Sequence, residues 1–472
     1  MKDALTTALS PDFLEREAAR LGALLADHVR SAQRREGPVL VQRSIEEILA
    51  ALDFDRTVAH GGADLAALVA TVLDNSNRLH HPRYFGHQVA VPMLSSSLAD
   101  LVHGVLNNGM AVYEMGPAGT AIERGLLRWM RGKIGWGAEG DGVITHGGSL
   151  GNLSALLACR ERVAPGSFKA GVPPGLVLLA SEAAHYSVAR AAAILGLGVD
   201  AVVKVAVDDA LRIIPGALSR AYEEVKRAGK RVLAVVANAG ATPNGAFDPV
   251  REIGAFCRRE GLWLHVDGAH GAAARFTERY RDLLDGVELA DSLVCDMHKM
   301  LGTSTLACAV LVRDPAALAG TYEQYAPYLH GDDERQGVDL SKLTFECTKA
   351  QLSLKLFFNL ALVGEAGLSA HVERLFDAAR RFHGLLARRP AFECFGAPQA
   401  NILCFRIGRD SATQDRVRRQ IVEEGSFYIT RTTLRGESWL RLVIMNPQTT
   451  DGDIEALAAR IEALAVERAP PP

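Results

Sequence analysis

Between Asp141 and Val312 short apolar runs alternate with stretches of helical length. The runs are Val143–Thr145, Leu176–Leu179, Ala201–Val207, Val232–Ala237, Trp263–Val266, Ser292–Cys295 and Leu306–Val312. Helical patterns follow the first three, over Leu150–Val163, Ala183–Leu195 and Pro215–Ala228. Strands separated by helices are joined by crossovers, and crossovers make parallel pairs. The alternation therefore predicts an α/β fold with a mostly parallel seven-stranded sheet and helices on both faces. Ligands of such sheets sit beyond the carboxyl ends of the strands. Thr145, Ser181, Asn238, Asp267 and Asp296 fall there.

The flanks read differently. Residues 5–35 carry a helical pattern (Phe13, Leu14, Ala18, Leu21, Leu24, Leu25, Val29), broken by Arg34–Pro38. A second amphipathic helix is expected near Leu65–Leu73, with Asp64 as its N-cap. These helices precede the first strand and form an expected N-terminal arm, 1–85, of the kind that packs on a partner subunit. His81–His87 is an extended entry shaped by Pro82. The main domain is expected over 86–345, including a polar, mobile loop at His330–Gly337. A smaller C-terminal α+β domain, 346–472, holds helices near Thr348–Leu362, Ala370–Leu386, Ala412–Glu424 and Asp451–Val466. Its strands are Ile402–Ile407 and Trp439–Ile444.

Composition removes several classes of function. The 472 residues are 48% hydrophobic and 23% charged, as in globular proteins. A net charge of −3 gives no electrostatic case for nucleic acid or a membrane surface. No apolar run approaches the ~18 residues of a spanning helix. The N-terminus lacks the apolar core of a secretion signal. The 7 cysteines are scattered, with no CxxC pair and no zinc-ligand spacing. Reduced thiols, a cytoplasmic setting and no metal are expected.

The chemistry-bearing residues cluster at the strand ends. Thr145-His146-Gly147-Gly148-Ser149-Leu150-Gly151-Asn152 joins a strand to a helix. Its glycines let a backbone approach an anion, and a helix N-terminus offers unpaired N–H groups. The plain alternative is a tight turn with a serine cap. Neither GxGxxG nor GxxxxGK[ST] is present, which disfavours a Rossmann dehydrogenase or a P-loop. His185 is either a solvent-exposed helix start or an imidazole lying on a ring. Asp267 ends a run too apolar to bury a carboxylate without a partner; it either caps the next segment or pairs with a cation. Lys299 follows the next run and either snorkels outward or presents its amine. A carboxylate and an amine on neighbouring strand ends, behind an anion cradle, grip two ends of one small ring. That is the arrangement a pyridoxal phosphate enzyme needs, with Lys299 as Schiff-base lysine and Asp267 on the pyridinium nitrogen.

On these residues the chain resembles the group II pyridoxal-dependent decarboxylases, a fold-type-I family acting on glutamate, aromatic amino acids, diaminobutyrate or cysteine sulfinate. The matching pieces are His81–Phe85, Gly147–Ser149, His185, Gly240–Thr242, His265–Asp267, His298-Lys299 and Leu440–Pro447. The resemblance implies that Gly148, Ser149 and His298 bind the phosphate. His185 stacks on the ring, Ala269 presses its other face, and Thr242 bonds its hydroxyl side. Arg441 grips a substrate carboxylate; its plain alternative is a surface ion pair. Tyr328 resembles the loop tyrosine that returns a proton after carbon dioxide leaves, with Tyr322 and Tyr325 as rivals. His87 lies where relatives line the substrate pocket. A homodimer with its site at the interface is also implied. The chain departs from the family at Leu150, Gly151, Gly268, His270 and Asp296, where relatives often have asparagine at the last position. Around His87 and Gly109–Ala111 it matches neither the glutamate nor the aromatic type.

The expected reaction is decarboxylation of an L-amino acid to its amine through Lys299. Transamination, oxygen-dependent decarboxylative deamination to an aldehyde, and a non-catalytic protein of the same fold are the rival readings.

Overall fold

A computed structural model describes residues 2–322 and 337–466. The chain divides into two compact units. One is Gln88–Arg380 with Gly396–Leu403; the other is Met1–His87 with Arg381–Phe395 and Cys404–Pro472.

The first of these is built on seven strands. They are β2 (Asp141–Thr145), β3 (Leu176–Ser181), β4 (Val202–Val205), β5 (Arg231–Asn238), β6 (Trp263–Asp267), β7 (Ser292–Asp296) and β8 (Cys308–Val312). Their order across the sheet is β2-β8-β7-β6-β5-β3-β4. Neighbours from β4 to β7 pair in parallel, and β8 runs antiparallel between β7 and β2. Each expected apolar run is a strand. β6 and β7 are buried at every position, carboxylates included. Their continuous apolar character is what a sheet covered on both faces demands.

Helix starts differ from expectation in an informative way. The helix after β2 begins at Gly148, not Leu150, and its N-cap is Gly147 at φ +91° with no side-chain cap. The helix after β3 begins at Tyr186 rather than Ala183, because Ser181–Ala184 forms a turn and His185 is the helix N-cap. Ser353–Ala387 is continuous by hydrogen bonding except at Gly364, whose non-helical backbone separates the two expected helices. A helix at Val250–Glu260, between β5 and β6, has no counterpart among the expected elements.

The second unit carries a five-stranded sheet. With β1 (Tyr84–Phe85), β9 (Phe392–Cys394), β10 (Ile402–Ile407), β11 (Tyr428–Leu434) and β12 (Glu437–Val443), the order is β1-β11-β12-β10-β9. β1 pairs in parallel with β11, so the extended entry at His81–His87 joins this sheet. The buried Asp453 accepts from both Arg35 and Arg83 and ties the N-terminal residues to the helix Asp451–Val466. Asp64 caps the helix Leu65–Asp74 as expected, accepting from Ala66 N. Tyr328, Tyr325 and the segment His330–Gln336 lie outside the described residues. Among the described residues no helix is long and apolar enough to cross a membrane.

Candidate active site

A cavity of about 340 Å³ opens at the carboxyl ends of the parallel strands. Gly148, Ser149, His185, Thr242, Asp267, Ala269, His298 and Lys299 all line it. Asn152, Asn238 and Asp296 line it too.

The anion cradle comes from chain geometry. Gly147 at φ +91° turns the chain into a helix whose first N–H groups meet no side-chain cap. The next residue has no room for a side chain: a Cβ on Gly148 would lie 2.8 Å from Asp296 Oδ2 and 3.2 Å from Ala269 Cβ. Ser149 is exposed within this first turn, so the serine-cap alternative does not hold. Backbone donors and the helix dipole remain available to an anion.

Asp267 ends β6 and is 8% exposed. Its Oδ1 accepts from Ala269 N at 3.2 Å and its Oδ2 from Asn152 Nδ2 at 2.9 Å. Asn152 also donates to Ser187 Oγ at 2.9 Å, so its carbonyl oxygen faces His265 Nε2, at 2.9 Å. That oxygen can only accept, so His265 carries its proton on Nε2 and leaves Nδ1 as acceptor for the Ser292 hydroxyl. Ser292 Oγ in turn accepts from Trp263 Nε1 at 2.9 Å. A directed chain of neutral donors thus runs Trp263, Ser292, His265, Asn152, Asp267. Burial pushes the His265 imidazole down to about 4, which keeps it neutral. This network is not legible in the sequence. Asn152 and His265 stand inside motifs, but nothing in their spacing shows that they touch.

Lys299 follows the end of β7 by three residues, and its Nζ lies 2.9 Å from Asp296 Oδ2. Burial alone would lower this ammonium; the adjacent Asp296 charge outweighs it and holds the group above an ordinary lysine. His298 Nδ1 meets the carbonyl of Ala307 at 3.0 Å, and Nε2 stands 3.9 Å from Asp296 Oδ2. His185 is half-buried; its Nδ1 accepts from Ser187 N at 3.3 Å, so it both caps a helix and lines the cavity. Burial lowers it first, with Asp267 opposing.

A ring carrying an aldehyde, a basic nitrogen and a phosphate matches these groups. Lysine, carboxylate and anion cradle stand around one space. Asn238 Nδ2, buried on its wall, has no hydrogen-bond partner among the described residues. Residues 64–408 match the family model of the pyridoxal-dependent decarboxylase conserved domain.

The chain belongs to the pyridoxal-dependent decarboxylase family.

Its relatives include the acidic amino acid decarboxylase GADL1 of Bos taurus, 30% identical over 96% of this chain and 90% of that protein. Mouse CSAD is 27% identical, with a TM-score of 0.91 over 97% of this chain and 99% of its own. The 4-hydroxyphenylacetaldehyde synthase of Rhodiola rosea, 20% identical at a TM-score of 0.86, shares the fold. This decarboxylase is therefore a pyridoxal phosphate-dependent amino acid carboxy-lyase of fold type I. Transamination and aldehyde formation are not favoured.

Arg441 and His87 are not among the residues that line this cavity. Arg441 lies on β12 in the other unit, nearly buried, and burial lowers its guanidinium. It is no surface arginine. His87, in the same unit, is exposed and shares a 3.0 Å contact with Tyr428 Oη. Tyr328 lies outside the described residues. Its rival Tyr322 is buried, with its hydroxyl donating to Ser154 Oγ at 3.1 Å and its phenol pushed up to about 12 by burial. Tyr322 is thus a core residue.

Proposed function

We propose that this decarboxylase converts an L-amino acid to its amine and carbon dioxide by dividing the work among these residues. Lys299 binds the cofactor through its amine. Gly148, Ser149 and His298 hold the phosphate. Asp267 holds a proton at the ring nitrogen, because an adjacent anion favours the charged form. His185 and Ala269 contact the two faces of the ring, and Thr242 its hydroxyl side. The bound cofactor supplies an electron sink for the bond to the departing carboxylate. Arg441 receives a carboxylate of the substrate with its planar fork, and His87 lines the approach. Tyr328 delivers the proton that replaces carbon dioxide.

The observation that carries the reading is the convergence of Lys299, Asp267 and an uncapped helix start on one cavity. The neutral chain behind Asp267 supports its role, since both of the carboxylate's hydrogen-bond donors are neutral and neither supplies a cation. The scattered cysteines support a cytoplasmic setting, and the resemblance supports a homodimer. The relatives' names make acidic amino acids the first substrates to try.

The test is a panel of amino acids on purified holoenzyme, with amine, carbon dioxide and peroxide measured together. Amine and carbon dioxide in equal amounts, without peroxide, are expected. Peroxide rising in step with an aldehyde would replace this reading with oxygen-dependent deamination.

A further inference from the structure

Asn238 ends β5 and is 3% exposed. It lines the cavity, yet its Nδ2 has no hydrogen-bond partner among the described residues. A buried amide left unpaired costs stability, and native proteins carry few of them. The backbone of this residue, by contrast, is fixed on both edges. Its N–H donates to Asp248 Oδ2 at 2.6 Å, and its carbonyl accepts from Asp248 N at 2.9 Å. Asp248 is itself buried and also accepts from Ile213 N at 2.6 Å. On the other edge Asn238 stands in register with Asp267, and Ala239 N donates to the Asp267 carbonyl at 2.9 Å. The main chain therefore places this side chain at the cavity, and no bond through Nδ2 fixes which way the amide faces.

The sheet order fixes which edge of the cofactor meets it. On the pyridine ring the nitrogen and the aldehyde carbon stand opposite each other. The phosphate arm and the hydroxyl flank the aldehyde carbon, one on each side. Asp267 on β6 faces the nitrogen in the proposed arrangement. The anion cradle lies on the β7 side of that strand, since a Cβ on Gly148 would come within 2.8 Å of Asp296 Oδ2 at the end of β7. β5 flanks β6 on the other side. With the phosphate toward β7, the hydroxyl is turned toward β5, where Asn238 stands. A ring oxygen accepts hydrogen bonds, and an amide has two N–H groups to give. Thr242 follows the same strand and also lines the cavity.

We propose that Asn238 is a further cofactor-binding residue, donating through Nδ2 to the ring hydroxyl oxygen of pyridoxal phosphate. The inference deepens the proposed function and rests on its placement of the ring between Asp267 and Lys299. Asp267 and Lys299 grip the two ends of one axis and by themselves leave the ring free to swing about it. A donor on the β5 edge, opposite the cradle on the β7 edge, removes that freedom.

The test is a cycle over one residue and one ligand atom. Apoenzyme, wild type and Asn238→Ala, is titrated with pyridoxal phosphate and with its 3-deoxy analogue. The variant is expected to bind pyridoxal phosphate about 10- to 100-fold more weakly than the wild type. For the analogue, which lacks the hydroxyl, the expected loss is under about threefold. A loss shared by both ligands makes Asn238 a packing residue and overturns the proposal, as does no loss with either. A wild-type holoenzyme crystal structure decides the matter if the variant fails to fold. Nδ2 within about 3.2 Å of the ring oxygen is expected, and an amide turned away from it overturns the proposal. Borohydride reduction and peptide mapping separate the two levels. Label missing from Lys299 removes the proposed attachment itself, whereas label on Lys299 with shared losses removes only the role of Asn238.

Discussion

Asp267 and Asp296 end adjacent parallel strands, are both buried, and line the same cavity. Their surroundings are opposite. Asp267 is braced by an amide and a backbone N–H, each neutral, and the amide belongs to a chain of hydrogen bonds anchored in the sheet. Asp296 is paired with a cation on the turn after its own strand. Neutral dipoles hold the first carboxylate in place without a cation of their own. A charge balanced by an amine depends on what that amine is doing. The difference is in what holds each group: neutral donors for one carboxylate and an ion pair for the other.

The comparison breaks most sharply at its shared centre. Lys299→Ala is expected to lower turnover at least about a thousandfold, measured as amine and carbon dioxide release; near-normal turnover would refute the attachment. Asp267→Asn comes next, with a loss of about a hundredfold or more in kcat, because the ring nitrogen loses its anion. An unchanged kcat would make Asp267 a structural group. Asn152→Ala probes the brace rather than the charge. It leaves Asp267 Oδ2 and His265 Nε2 without their partner, and the expected cost is about 1–3 kcal/mol of stability by denaturant unfolding. A smaller fall in kcat than for Asp267→Asn should accompany it.

Acid probes the same brace. The folded-state value of about 4 for His265 lies below its ordinary 6.5. The folded protein therefore binds this proton less readily than the unfolded chain. Stability is complete above about 6.5 and falls as pH drops toward about 4, by up to about 3 kcal/mol. His371 is lowered to about 4 by burial and contributes in the same direction. Thermal melts across that window should show the fall, and His265→Gln should make it shallower. The smallest effect is expected at Tyr322→Phe, which removes one buried hydrogen bond to Ser154. About 1 kcal/mol of stability should be lost, with turnover within about threefold of wild type. A large drop in turnover would reopen its candidacy as proton donor.

Much of the catalytic half is legible in the chain. Seven apolar runs are seven strands because a doubly covered sheet needs apolar residues on both faces of each strand. The polar residues that end those runs, Asn238, Asp267 and Asp296 among them, accordingly fall at the cavity. The C-terminal sheet is less legible. Neither β11 nor β9 carries a clear signal: β11 alternates buried and exposed positions over only part of its length, and β9 is three residues long. Nor does any local pattern announce that Tyr84 and Phe85 pair with Tyr428 and Ile429.

The order of residues along the chain determined which groups end each strand, because strand period and helix crossover are local consequences of side-chain type. It determined the presence of Lys299, Asp267 and the glycine turn on that account. The contacts of Asp267 and Asp296 with their immediate neighbours Ala269 and Lys299 are local, but the amide brace on Asp267 was decided by the tertiary structure. Asn152 reaches Asp267 across 115 positions, and Ser292 reaches His265 across 27. Such contacts depend on which strands become neighbours and on the register between them, and no nearest-neighbour preference in the chain encodes either.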